Sequence, residues 1–308
     1  MVNIKTELNR VWRNSAPLTA TAILMLVTFV VSLLGIFLDH RIITGVPAWL
    51  KPSKFAISTA IYCGTLAWLF RYITVWPRFV RRMGWMIAAV LVLEVAIIDV
   101  QATRGVTSHF NVGTPIDADL FIVMGASILV LWLASIGILA ALIRQKFQDS
   151  AWGWALRLGM LITVVGSATG GFMLRMTQDQ TETRRATHSM TTVGGHTVGA
   201  PDGGPGLPGL GWSTEHGDLR IPHFFGLHGL QLIPILSWLF GRRRSSVRVF
   251  AIAASYSAFI AILTWQAMRG QSVVAPDGAT FSVLAVWLSV TALTVFPWRD
   301  GLAQRVEA

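Results

Sequence analysis

The sequence predicts an all-α integral membrane protein: a polytopic bundle of about eight transmembrane helices, built as a tandem four-plus-four repeat with both termini cytoplasmic. Three observations predict it. Apolar residues make up 53% of the 308-residue chain and charged residues only 13%, about half the share usual in soluble domains. The apolar residues fall in long runs, with basic residues in short bursts between them, such as Arg78, Arg81 and Arg82, or Arg144 and Lys146. Finally, two stretches some 165–170 residues apart resemble each other.

A span needs about 20 mostly apolar residues, and eight stretches qualify: roughly 18–38, 54–76, 84–105, 118–143, 154–176, 221–240, 247–268 and 279–297. The first is too long for a signal-peptide core and no small-residue cleavage site follows it, so it reads as a retained helix. With the N-terminus inside, the inner segments hold sixteen basic and four acidic residues, the outer ones nine of each. That asymmetry orients the chain. The net charge of +10 therefore belongs to loops beside anionic lipid, and no soluble domain remains to bind nucleic acid. Cys63, the one cysteine, excludes an intrachain disulfide and any cysteine-based metal cluster.

The repeat divides the chain into a first four-helix unit, 1–150, and a second, 151–308. Gln101-Ala-Thr-Arg104-Gly105 at the end of the third span matches Gln266-Ala-Met-Arg269-Gly270 at the end of the seventh. Each is followed by a turn with Pro and Asp (Pro115 and Asp117; Pro276 and Asp277). Pro52 to Ser58 likewise stands against Pro222 to His228. Four spans per copy keep the halves parallel. Arg in a last turn followed by Gly is also ordinary helix C-terminal chemistry. Gln101 and Gln266 lie one turn deeper and need partners within the bundle.

One connection is long. The outer segment 177–220 is rich in Gly and Pro, which suits a flexible linker, yet Leu207, Leu210 and Trp212 would anchor a lid or a docking site for an extracytoplasmic partner.

Ionisable residues inside a span are costly, so each is a functional candidate. Glu94 and Asp99 are the candidate catalytic or proton-carrying groups. On a helical wheel Glu94 shares a face with Gln101, while Asp99 points about 140° away. In the sixth span His223, His228 and Gln231 form a polar wedge, which a kink at Pro234 would open. His109 sits in the turn before the fourth span, and Lys51 and Lys54 start the second span against the positive-inside trend. Snorkelling to the interface accounts for the lysines, and binding an anionic headgroup, carboxylate or haem propionate is the sharper alternative. His223, His228, His109, Gln101, Gln231, Gln266, Lys51 and Lys54 are thus the candidate cofactor-binding residues, with His228 and His109 the candidate metal ligands. Haem b or a single transition metal suits imidazole.

An eight-span, four-plus-four chain with an outward-facing site resembles haem A synthase in architecture, which implies a haem-linked redox role. That family pairs histidines in both halves, whereas Ser58 stands here opposite His228, and the fourth and eighth spans hold no histidine. The segments Lys51 to Ser58, Gln101 to Leu120 and His196 to Gln231 are also similar to a family of bacterial multi-pass proteins, which implies a bacterial inner membrane and no particular activity. Three functions follow from the sequence: a haem or metal redox protein, a proton- or cation-coupled transporter, and an assembly factor.

Overall fold

The computed structural model describes residues 4–240 and 245–295. The Arg242–Arg244 run and the C-terminal segment 296–308, both expected on the cytoplasmic side, lie outside the described residues. The chain is mostly helical and forms two compact units. Residues 1–145 make the first, joined by 173–195 and 201–211; the second holds 146–172, 196–200 and 212–308. Much of the long connection expected with the second half therefore packs with the first.

In the first unit α1 (Ile4–Asn14) is amphipathic, with Leu8, Val11 and Trp12 at helical spacing opposite Arg10 and Arg13. It leads into α2 (Ala16–Leu38), opened by a proline in its first turn. A two-stranded hairpin, β1 (Ile42–Ile43) and β2 (Val46–Pro47), turns the chain back into α3 (Leu50–Leu69). Gly35 lets the two helices close: a Cβ there would stand 2.5 Å from the Trp49 ring. Next come α4 (Pro77–Arg104) and α5 (Pro115–Arg144), each begun by proline. Met25 of α2, Ala60 of α3 and Val95 of α4 meet in one buried cluster.

The second unit runs α6 (Ser150–Ala168), most of a 3-10 stretch over Thr169–Leu174, then α8 (Arg220–Leu227), α9 (Gly229–Phe240), α10 (Ser246–Met268) and α11 (Gly278–Val295). Helix α7 (Gln178–Thr187) belongs to the first unit, and the strands β3 (Thr197–Val198) and β4 (Gly217–Asp218) pair within the second. Helix α6 crosses α8 and α9 at glycines: a Cβ on Gly166 would fall 2.3 Å from Gly226 Cα, and one on Gly159 3.0 Å from the Gly229 carbonyl. Backbones this close are the usual way to gain contact where lipid removes the hydrophobic drive.

Among the described residues six helical stretches are long and apolar enough to cross a bilayer: α2, α4, α5, the stretch begun by α6, α10 and α11. The bent pair α8–α9 makes a seventh if it counts as one span. Helix α3, expected as another, has the length but carries Lys51, Pro52 and Lys54 in its first turns and falls outside this set. The chain is thus a multi-pass membrane protein with six to seven candidate spans.

The segment 177–220 is not a structureless linker. Thr177 and Gln180 form a capping box on α7, and Gln180 exchanges two hydrogen bonds with the Gly194 backbone at 2.8 and 2.9 Å. Gly194, Gly199, Gly203, Gly209 and Gly211 all have positive φ. The glycine content serves tight turns, where a side chain would be strained.

Candidate functional site

Each unit holds its own candidate residues. In the first, helix α4 buries Glu94 to 3% exposure, and its Oε1 has no hydrogen-bond partner. Gln101, seven residues on, is fully buried on the same face, while Asp99 is half-buried with Oδ1 unpartnered. Gln101 is occupied: its amide donates to Asp117 Oδ1 at 2.9 Å and to the Thr107 carbonyl at 3.4 Å. Arg104 pairs with the same Asp117 oxygen at 2.7 Å and also donates to Gln101. Thr114, the N-cap of α5, donates to the other Asp117 oxygen at 2.6 Å. Gln101 therefore joins α4 to α5.

Lys51, Phe55 and His109 come together above this. The Lys51 ammonium stands 5.9 Å from the Phe55 ring centroid, and that ring lies 5.6 Å from the His109 imidazole. Ser108 Oγ is 3.0 Å from His109 Nδ1. Lysine at a membrane surface was expected either to snorkel to the interface or to hold an anionic group, and Lys51 lies against the aromatic residue one turn on. Lys54 instead donates to the Leu210 carbonyl at 2.8 Å and pins the connection to α3.

At the near end of this unit Asp39 accepts from the Arg41 guanidinium and from Trp49 Nε1 at 2.8 Å. The Arg41 hydrogen bonds, reinforced by Trp49, hold the Asp39 carboxyl well below the usual carboxylate range.

The second unit repeats part of this chemistry. Gln266 donates to the Ser272 carbonyl at 2.9 Å, six residues on, as Gln101 does to Thr107. Arg269 pairs with Asp277, which caps α11 by accepting from Thr280 N–H at 2.8 Å. Its guanidinium holds the Asp277 carboxyl below the ordinary range. Gly105 and Gly270 end their helices at φ 75° and 71°.

The sixth-span candidates sit at a break. Helices α8 and α9 meet at 58° with His228 between them. The bend is not at Pro234, where it was expected, since α9 runs on through that residue. It lies instead between Gly226 and Gly229. A single helical wheel through His223 and Gln231 therefore does not hold, and the wedge is two separate groups.

A break inside a span frees backbone groups that lipid cannot satisfy. Here side chains from neighbouring helices take them. Thr163 of α6 donates to the Leu227 carbonyl at 3.3 Å and accepts from Leu230 N–H at 2.9 Å; it is 2% exposed. Tyr256 of α10 donates to the Phe225 carbonyl. Sequence reasoning missed both, because a hydroxyl in an apolar run does not announce which backbone it serves.

His223 is held by Gly166 and Thr169: its ring bonds the Gly166 backbone, and Nδ1 is 3.4 Å from Thr169 Oγ1. Leu219 N–H donates to the His196 carbonyl at 2.9 Å, which brings that histidine to the same end of α8. His228 packs edge-on to Phe224, centroids 4.4 Å apart, and bonds Gln231.

Among the described residues no group of three or more His, Cys, Asp or Glu side chains could hold a metal ion. His109 belongs to the first unit and His228 to the second. No protein-family model, curated protein or solved structure matches this chain.

Proposed function

We propose that the chain is a proton- or cation-coupled transporter of the bacterial inner membrane, with eight spans, both termini cytoplasmic, and the two halves derived from one four-helix unit. The observation that carries the transport reading is Glu94: 3% exposed, one oxygen without a partner, and midway along an apolar helix. A carboxylate left in that state is costly unless it exchanges a proton or takes a cation during a working cycle. Support comes from the discontinuous α8–α9 pair, since such helices line the binding sites of secondary transporters. The two-copy origin is supported by the matching Gln–carbonyl and Arg–Asp contacts at the ends of α4 and α10. On this reading α3 is the eighth span.

The test uses proteoliposomes of the full chain adsorbed on a supported membrane and given a pH jump. Wild type should give a transient current, Glu94→Gln should abolish it, and Asp99→Asn should diminish it. A silent wild type, or a current that survives Glu94→Gln in protein with normal helix content, sinks the reading.

A further inference from the structure

The end of the first unit that carries α1 is basic and has almost no acid to match. No Asp or Glu occurs from His40 to Leu93, a stretch that includes Arg71, Arg78, Arg81 and Arg82. These four arginines are exposed, and so is Arg13 near the end of α1. Glu7, the acid of α1, is already paired with Arg10 at 2.6 Å. Among the described residues Arg13, Arg78, Arg81 and Arg82 form no ion pair. The last three lie in the first two turns of α4, where the helix dipole disfavours cations and no acid offsets them. Helix stability therefore does not explain them.

Packing brings the charges to one place. A Cβ on Gly84 of α4 would stand 3.0 Å from the Phe70 ring and 3.2 Å from Ser15 Oγ. Phe70 opens the 3-10 turn Phe70–Tyr72, and Ser15 joins α1 to α2. Arg13, Arg71, Arg81 and Arg82 thus each lie within three residues of a single three-way contact. Apolar surface accompanies them. Leu8 and Trp12, one turn apart on α1, are each 46% exposed although α1 packs against α3 and the 3-10 turn. Trp76 and Trp85 are exposed at the start of α4, and the Arg144 guanidinium lies 5.7 Å from the Trp76 ring centroid. Basic residues beside open indoles are what an interfacial helix and an aromatic belt present to a bilayer.

A soluble anion would answer the arginines and leave the indoles in water; a neutral lipid would do the reverse. We propose that this end of the first unit binds anionic phospholipid, its phosphates on Arg13, Arg71, Arg81 and Arg82, with Leu8 and Trp12 laid into the interface beside them. Helix α1 is then a surface helix that ties the bundle to acidic lipid. The site is independent of transport and of which leaflet it faces.

The test is native mass spectrometry of the detergent-purified full chain, titrated with phosphatidylglycerol or phosphatidylcholine so that each bound lipid is resolved. The first phosphatidylglycerol should bind wild type at least tenfold more tightly than phosphatidylcholine. A basic residue near an anionic headgroup is worth about fivefold, so Arg81→Gln with Arg82→Gln should remove tenfold or more of that affinity. Arg184→Gln with Arg185→Gln, an equal change of charge at exposed positions of α7, should leave it within twofold. Unchanged phosphatidylcholine binding in both variants shows that the fold is kept. Glycerol phosphate, which has the charge without the chains, should not displace the lipid. The proposal is overturned if wild type holds the two lipids equally, if the α4 variant keeps its preference, if the α7 variant loses as much, or if glycerol phosphate displaces the lipid.

Discussion

Replacing Thr163 with valine keeps the side-chain shape and removes the hydroxyl that closes the α8–α9 break. Two backbone groups lose their partner: Leu230 N–H, bonded at 2.9 Å, and the Leu227 carbonyl, bonded more weakly at 3.3 Å. Thr163 is 2% exposed, so water does not replace it. A buried group left unsatisfied costs about 1–3 kcal/mol, although hydrogen bonds between membrane helices average nearer 0.6. The shorter bond counted near the middle of the first range and the longer one near the second value give about 2–3 kcal/mol. Thr163→Ser is the control. It keeps both bonds and loses one buried methyl, about 1 kcal/mol. Unfolding in mixed micelles by SDS, followed by helical circular dichroism, ranks the three proteins, and hydrogen exchange should rise at the Leu230 amide in Thr163→Val alone. If valine is tolerated as well as serine, the hydroxyl does not hold the break.

Three further outcomes are expected. Gly166→Ala puts a methyl 2.3 Å from Gly226 Cα and has only backbone to displace, so it should lose 3 kcal/mol or more or fail to accumulate, whereas Gly64→Ala, with nothing within 4 Å, should be neutral or stabilising by about 0.5–1 kcal/mol. Cys63 is fully buried, so a maleimide should label it only on unfolding, with labelling kinetics that follow loss of helix content. The Arg269–Asp277 pair lowers the folded pKa of Asp277 below its unfolded value of about 3.9. Its contribution is therefore complete above that value and lost as pH falls through the depressed one. The stability gap between wild type and Asp277→Asn should accordingly close as pH is lowered from about 5 toward 2.

What could be read from the sequence is what local chemistry decides. Apolar length marks the spans, proline and Asp or Thr mark their starts, and Arg followed by Gly marks the ends of α4 and α10. Gln101 could be assigned a partner within the bundle because an amide that deep has no other option, although Asp117 as that partner depends on how α4 meets α5. The break at His228 escaped for a different reason. Gly226 and Gly229 already have a reason to exist, since Gly166 and Gly159 press against them. A glycine kept for close packing looks the same in sequence as one kept for a bend. Pro234 drew the attention because its lost donor is visible without a partner. The contact of Lys51 with Phe55 was illegible too, because a lysine at a helix start reads as snorkelling or as holding an anion until the aromatic one turn on is known to meet its ammonium.

The two halves differ most where they should if one four-helix unit was copied and then put to work. The helix ends share their contacts: Gln to a carbonyl six residues on, Arg to an Asp at the start of the next helix. These set how α4 meets α5 and how α10 meets α11, and any change there costs stability in either copy. The second helix of each half is free of that constraint, and there the copies part. Helix α3 sets Lys51 against Phe55 in its first turns; its counterpart breaks between two glycines and takes hydroxyls from α6 and α10 to satisfy the freed backbone. Those hydroxyls are a structural need, since an unsatisfied backbone group in an apolar interior is costly.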